Sequence, residues 1–590
     1  MRYSTLIVLA IACAYAQQIE PRRETIVVTG TYEPVPLEEV DRSVLVLPAR
    51  EQLLLSNTFV DFLRLDPSLD LRQRAPNGVQ SDLSIRGGTF GQTLVLLNGR
   101  RMNDVQSGHH NLDIPVPLES VERIEILRGA GSTLYGSDAV GGVVNVITRA
   151  PEASEIRVRA AVGNFGVNQQ RVSLTGVRGN LTQQISASRD FSTGFAENRD
   201  YRNLSIASTT HFDSGLGASE VILAHNDRPF GADQFYGNFN SWERTKTWFA
   251  SMRQSLGPRT EAAYSFRKHT DLFVLYRDRP QVFTNRHTAE SHHATVRRTE
   301  ELGRNLKLFY GVEGFRESID SNNLGIHARS RGAGYVSLDM RALRRFSFSV
   351  GAREEVYGSL RGQFSPTASV GVWLTPSLKL RGAASRAFRL PTYTDLYYHD
   401  PATLGSPDLR PERAWSYEGG LDWNGGGKLR ADFTLFHRRE TDGIDYTRQS
   451  ALEVWRATNI HRLRFTGVET SVSVRPGRSQ QIDLRYTGLH GARNALAGVL
   501  SRYVFNYPSH SGVASWQGSF PGGIVARTRI GALSRLGRDP YALWEVYAGR
   551  GRGPIQPFVQ LTNLTGTRFE EIPGVKMPGR AIVVGIDLLR

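Results

Sequence analysis

The sequence predicts an all-β transmembrane barrel of about 22 antiparallel strands, preceded by a small α+β domain. Three observations carry this: an export signal at the start, no apolar run long enough for a membrane helix, and a period of two that recurs through residues 151–590.

Residues 1–16 read as a secretory signal, with Arg2 as the charged end, Leu6 to Ala12 as the apolar run, and Ala14-Tyr15-Ala16 as the small-residue site before Gln17. Cys13 is the single cysteine and falls inside that signal, so the exported chain is expected to carry no disulfide and no cysteine metal site. A lipoprotein site at Cys13, after Ile11-Ala12, is the alternative, and export holds on either reading.

Beyond the signal there is no stretch of ~18 apolar residues, so no membrane helix is available. An exported chain that enters a membrane without helices must close into a barrel, because open sheet edges cannot give up water; otherwise it is soluble. The composition fits many short strands and tight turns, with 58 glycines, 21 tyrosines and 27 phenylalanines in a chain only 40% hydrophobic. The net charge of +15 comes mostly from arginine. It forms no basic stripe of the kind nucleic acid requires. Coding bias and phosphate-rich lipid at a cell surface account for it.

Within 151–590, Phe346, Phe348 and Val350 alternate with Ser347, Ser349 and Gly351. Ala431, Phe433 and Leu435 oppose Asp432 and Thr434, and Ile482, Leu484 and Tyr486 oppose Asp483, Arg485 and Thr487. The last such run sets Ile582, Val584, Ile586 and Leu588 against Gly585 and Asp587. A charged residue facing lipid at mid-depth costs roughly 2 to 4 kcal/mol, so the apolar set must face outward. A soluble β-sandwich shows the same alternation, but about 440 residues at roughly twenty per strand and connection suit one large barrel, and sandwich domains would need linkers that are absent.

Residues 34–150 have a different pattern: a short amphipathic helix at 58–65, strands at 94–97, 121–127 and 143–147, and a hairpin turn at Asn98-Gly99. Ahead of them residues 17–33 read as a strap, whose run Glu24 to Gly30, flanked by Pro21, Pro34 and Pro36, is expected to be extended and detachable.

Four motifs, in order, resemble the TonB-dependent receptor family over nearly the whole chain. Glu24-Thr25-Ile26-Val27-Val28-Thr29-Gly30 resembles the TonB box, a β-prone segment able to add to a partner's sheet edge. The second motif begins at Ser84-Ile85-Arg86-Gly87-Gly88 and Val95-Leu96-Leu97-Asn98-Gly99-Arg100. It continues through Val121-Glu122-Arg123-Ile124-Glu125-Ile126-Leu127-Arg128-Gly129 and Leu134-Tyr135-Gly136-Ser137-Asp138-Ala139 to Val143-Val144-Asn145-Val146-Ile147-Thr148, and it resembles the family's plug signature. Phe388-Arg389-Leu390-Pro391 with Gly405-Ser406-Pro407-Asp408-Leu409-Arg410-Pro411-Glu412 is similar to a mid-barrel strand, outer loop and returning strand. Asn563-Leu564 and Met577-Pro578-Gly579-Arg580 lead into the closing strand. One departure is the ending Leu588-Leu589-Arg590, where family barrels have a terminal aromatic residue.

The resemblance implies a cell outer-membrane location with lipid around the barrel, a plug (34–150) inside the lumen of the barrel (151–590), and a monomer. It further implies that TonB, driven by ExbB and ExbD, pulls on residues 24–30 to import a scarce small molecule or metal chelate. The chain has no energy source of its own, since Gly425-Gly426-Gly427-Lys428-Leu429 lacks the hydroxyl residue of a phosphate loop. Neither HExxH nor GxSxG occurs, so an outer-membrane enzyme is disfavoured. A porin or adhesin has no use for the plug signature.

Arg86, Glu122, Arg123, Glu125 and Arg128 are expected to contact the barrel wall, either for plug stability or for gating. Cargo is expected to meet the apex loops first, at Phe90 and Gln92 and at Gln106, Ser107, His109, His110 and Asn111. Aromatic surface for a ringed ligand is expected at Phe230, Phe235, Tyr236 and Phe239 and at Tyr397-Tyr398-His399. No resident cofactor or metal site is expected; ligation of haem iron by His109-His110 opposite His399 is the alternative, and Ca2+ in the outer loops is left open. By analogy with family members of similar length, the favoured cargo is a corrinoid such as cobalamin, with a ferric siderophore or haem as the alternative.

Overall fold

The computed structural model describes residues 26–27, 29–342, 345–358, 361–492 and 498–590. The signal at 1–16 with Cys13, and Glu24, Thr25 and Val28 of the box, lie outside the described residues.

Twenty-two strands, from Glu155–Gly163 to Ala581–Leu589, pair antiparallel in sequence order and close on themselves through Arg157↔Leu589 and its neighbours. The period of two sets which way each residue faces. Ile582, Val584, Ile586 and Leu588 are between 42% and 47% exposed on the outer face, whereas Asp587 is 0% exposed in the lumen beside Arg159. Strands near Gly217–Asp233 and Thr284–Gly303 are 17 and 20 residues long, more than the ~9 to 11 needed to cross the hydrocarbon. The two rims differ: one has tight turns such as 179–180 and 304–305, and the other carries insertions at 390–411, 442–462 and 563–580.

The lumen holds the N-terminal domain. Its sheet runs in the order Val44–Leu47, Val121–Arg128, Gly142–Thr148, Thr93–Leu97, Arg100–Arg101, with Thr93–Leu97 parallel to Gly142–Thr148. Asn98 and Gly99 both take positive φ, 47° and 77°, as a two-residue hairpin turn requires. The helix spans Phe59–Leu63 under a Thr58–Asp61 capping box and presses Val60, Phe62 and Leu63 into the core with Ile124, Ile126 and Val144. Gly142 lets the Val121–Arg128 strand and Ile85 lie close to its own strand, because a Cβ there would strike the Leu127 carbonyl.

Part of the arginine lies inside the molecule, where buried acids match it. Arg159, Arg485, Arg527 and Arg529 of the wall donate to the plug carbonyls of Leu53, Leu65, Leu55 and Arg64. These four tie plug to wall.

Candidate functional site

The strap is folded against the short-turn rim. Ile26↔Pro36 and Val27↔Val35 form a small antiparallel pair. Thr29 is 0% exposed: its N–H donates to Glu125 Oε2 at 2.8 Å and its hydroxyl accepts from Asn145 Nδ2 at 3.0 Å. Tyr32 then stacks on Phe309 and Tyr335 of the wall, at 5.4 and 5.6 Å between ring centroids. Four acids that follow are matched by wall cations: Glu33 by Lys307, Glu38 by Arg430, Glu39 by Arg341 and Asp41 by Lys379. These tethers were not singled out in the sequence; the run of acids after the box in a basic chain was the available signal.

Higher in the lumen, the plug is clamped through Arg86. Its φ of 50° lies in the left-handed region that few side chains adopt. The guanidinium donates from Nε and Nη2 to both oxygens of Glu469 and from Nη1 to Glu418, all at 2.7 Å. Arg42 adds a second bond to Glu418 at 3.2 Å, and Arg128 sits 4.0 Å from Glu469 while pairing with Asp66 of the plug at 2.9 Å. The other three residues expected to touch the wall find partners within the plug and strap. Glu122 pairs with Arg50 at 3.9 Å and Arg123 with Glu125 at 2.7 Å, both within the plug, and Glu125 also holds the strap. The reason is position: all three lie on Val121–Arg128, an inner strand of the plug sheet flanked by Val44–Leu47 and Gly142–Thr148.

At the insertion-bearing rim a cavity of about 520 Å3 opens over the plug hairpin Leu69–Gln73/Ser81–Ile85. Arg72, Arg74 and Arg502 line it with Tyr236 and Tyr503. Arg74 pairs with Asp82 at 3.1 Å and Arg72 lies 3.6 Å from Asp70. Among the described residues, no carboxylate is within ion-pair distance of Arg502. Below Tyr503, Phe90 and His109 stack at 4.2 Å, with Tyr503 edge-on to Phe90 at 5.0 Å. His109 Nδ1 is 2.6 Å from Asp82. Burial opposes charge on Asp82, yet Arg74 and His109 outweigh it and hold its carboxyl well below the usual range. Burial also lowers the pKa of His109, against the pull of Asp82.

Of the residues expected to meet cargo, Phe235 and Tyr236 line this bowl, and Phe90 and His109 stack against its Tyr503; the others do not reach it. Gln92 is 1% exposed and donates to Glu412 and Glu440 of the wall. Gln106 donates to Asp271 at 2.8 Å, and His110 is buried beside the same carboxylate. Ser107 caps the Gly108–His110 turn, and Asn111 braces the loop through Phe90 O and Asp104 N. Phe235 borders the bowl but is 4% exposed, packed with Tyr201, Phe230 and Val575, so it offers little open aromatic surface. Tyr397 stacks on His327 at 3.7 Å, Tyr398 donates to Asp400 at 2.9 Å, and His399 is exposed, bonding Asn323 through its backbone. Groups of ligand-type side chains converge at His110, and neither His109 nor His399 belongs to them. Arg72, Arg74, Arg502 and Tyr503 were missed, because the plug hairpin and the loop bearing Arg502 lie far apart in sequence.

A wide barrel filled by a salt-bridged plug, with a folded strap on one rim and a ligand-sized basic bowl on the other, defines a gated outer-membrane receptor. The sequence matches the family "TonB dependent receptor-like, beta-barrel" over residues 146–565 and "TonB-dependent Receptor Plug Domain" over 36–143. The chain belongs to the TonB-dependent receptor family of the Gram-negative outer membrane, whose members work with TonB to take up small molecules. It is 26% identical over 577 residues to an iron-regulated outer membrane virulence protein of Vibrio cholerae serotype O1, covering 87% of this chain and 85% of that one. It is 25% identical over 445 residues to the vitamin B12 transporter BtuB of Photobacterium profundum, covering 70% of each. Among solved structures, the siderophore receptor PirA of Acinetobacter baumannii superposes with a TM-score of 0.77 at 14% identity, over 93% of this chain and 98% of that one. A variant of the ferric enterobactin receptor PfeA of Pseudomonas aeruginosa superposes with a TM-score of 0.78 at 16% identity, over 96% and 100%. At these identities the structural likeness concerns the fold.

Proposed function

We propose that this receptor imports an anionic metal chelate of the ferric siderophore class. The observation that carries the reading is the outer bowl, where Arg72, Arg74 and Arg502 face a ligand-sized cavity with two tyrosines. Arginine binds oxyanions and stacks on flat rings, so the lining suits a charged aromatic chelate better than a nearly neutral one. The iron-regulated relative, aligned over 87% of this chain, supports the same cargo class. A corrinoid is the second reading, favoured by the alignment with a vitamin B12 transporter over 70% of both chains. On either reading the chain works as a monomer: occupancy of the bowl loosens the plug and frees the strap, and TonB, energised by ExbB and ExbD, pairs with residues 24–30 and pulls.

Binding of ferric catecholates, cyanocobalamin and haem to the purified receptor tests this. Tight ferric catecholate binding that weakens with salt is expected. Tight cyanocobalamin binding with no ferric complex overturns the chelate reading.

A further inference from the structure

Where the plug apex meets the wall strands Asn240–Leu256 and Thr260–Val274, a polar cluster is buried behind Tyr236 of the outer bowl. His110 is 4% exposed and turns its two ring nitrogens to different acids: Nε2 is 3.5 Å from Asp271 of the wall, and Nδ1 is 3.9 Å from Asp113 of its own loop. With Glu243 it forms a group in which the ligand atoms of His110, Glu243 and Asp271 all lie within 4.8 Å of one another. Two of the oxygens, Glu243 Oε1 and Asp271 Oδ1, are buried without a hydrogen-bond partner among the described residues. Their sister oxygens are fixed, Glu243 Oε2 by the Tyr236 hydroxyl and Asp271 Oδ2 by Gln106 Nε2, each at 2.8 Å. Each carboxylate is thus oriented and still has one free acceptor.

The cluster is also rich in acids. Asp104 and Asp113 lie in the same cluster, making four carboxylates, and among the described residues two guanidiniums pair with them: Arg267 with Asp104 at 2.7 Å, and Arg228 with Asp113. With neutral histidines, as ligation requires, two negative charges remain, which one divalent cation would cancel.

We propose that His110 Nε2, Glu243 and Asp271 bind a divalent transition-metal ion, with zinc the best match, cross-linking the plug apex to the barrel wall. An imidazole with two carboxylates suits zinc, whose bonds to such ligands are ~2.0 to 2.2 Å, and does not suit calcium or magnesium, which take oxygen alone. Asp113 stands where a ligating histidine needs a carboxylate on its other nitrogen, and His269 links Asp113 to Asp104 at 3.3 and 2.8 Å. The neighbouring group of His110, Asp113 and His269 is a poorer host, because Arg228 already occupies Asp113. His110 moves with the plug while Glu243 and Asp271 stay with the wall, so any plug displacement has to break this link. The site is separate from the cargo reading and stands whichever solute is carried.

The test uses the full-length receptor in detergent, purified without a polyhistidine tag, stripped with a chelator and titrated with zinc chloride; cobalt(II) serves as the spectroscopic probe. About one equivalent of zinc surviving dialysis is expected, with an intense low-coordinate cobalt spectrum. Glu243→Gln and Asp271→Asn should each weaken zinc binding by at least ~10-fold. No retained zinc in the unmodified receptor overturns the proposal, as does loss of binding in Asp113→Asn or His269→Gln while both wall variants bind normally. Should the wall variants fail to fold, the cobalt spectrum of the unmodified receptor decides: a weak, six-coordinate spectrum rejects the site.

Discussion

Replacing Arg86 by alanine should release the plug far more easily. The change removes three hydrogen bonds of 2.7 Å and leaves Glu418 and Glu469, whose side chains are 5% and 3% exposed, without their main cation. Breaking such a buried pair costs about 3 to 5 kcal/mol. Arg42, 3.2 Å from Glu418, and Arg128, 4.0 Å from Glu469, recover part of that. The net loss is about 2 to 3 kcal/mol, or roughly 30- to 100-fold in the released fraction at 1.4 kcal/mol per tenfold. Conductance across a planar bilayer in rising urea reads plug release directly. With a slope of ~2 kcal/mol per molar, the midpoint should fall by about 1 M. Arg86→Met combined with Glu469→Met, which removes the charges on both sides, should regain most of the loss. An unchanged midpoint in the alanine variant, or a double variant as loose as the single one, would refute the clamp.

Thr29→Val removes the hydroxyl that Asn145 meets, and Glu125→Gln weakens the acceptor for the Thr29 N–H; each should free the strap by about 1 kcal/mol, seen as faster cross-linking of a cysteine at position 27 to TonB without bound cargo. Arg502→Ala should weaken an anionic chelate by ~10-fold or more at low salt and much less at high salt, measured by fluorescence quenching; equal losses at both would point to packing instead of charge. The Asp82 carboxyl is held low in the folded state, so the stability it contributes is fully present above the unfolded value of ~3.9 and is lost only as pH falls towards its lower folded value. The Asp82 contribution is therefore the same at pH 5 and pH 7, whereas His109, whose pKa is lowered by burial, should make hydrogen exchange at the apex, once corrected for intrinsic rates, faster at pH 5; Asp82→Asn should speed exchange at both.

The wall was the most legible part of the sequence, because lipid allows one answer for each side chain. Ile586 must face outward and Asp587 inward, and that alternation needs only neighbouring residues. The Asn98-Gly99 turn was legible for the same local reason. What joins plug to wall was not, since Arg86 and Glu469 are 383 residues apart and nothing in either segment names the other. Gln92 has the look of a polar loop residue, yet its amide is spent on Glu440 across the seam. Phe235 reads as loop aromatic surface until the 234–239 turn folds back over Tyr201. The basic bowl escaped notice because it exists only once Arg72 and Arg502 meet at one opening.

The central claim is that binding lies in the barrel and plug while transport depends on the strap. Deleting residues 24–30 and measuring surface binding and accumulation of the same labelled cargo in the same cells tests it most directly. The account predicts binding unchanged and energy-dependent accumulation abolished. Accumulation at the normal rate in the deletion strain would contradict it.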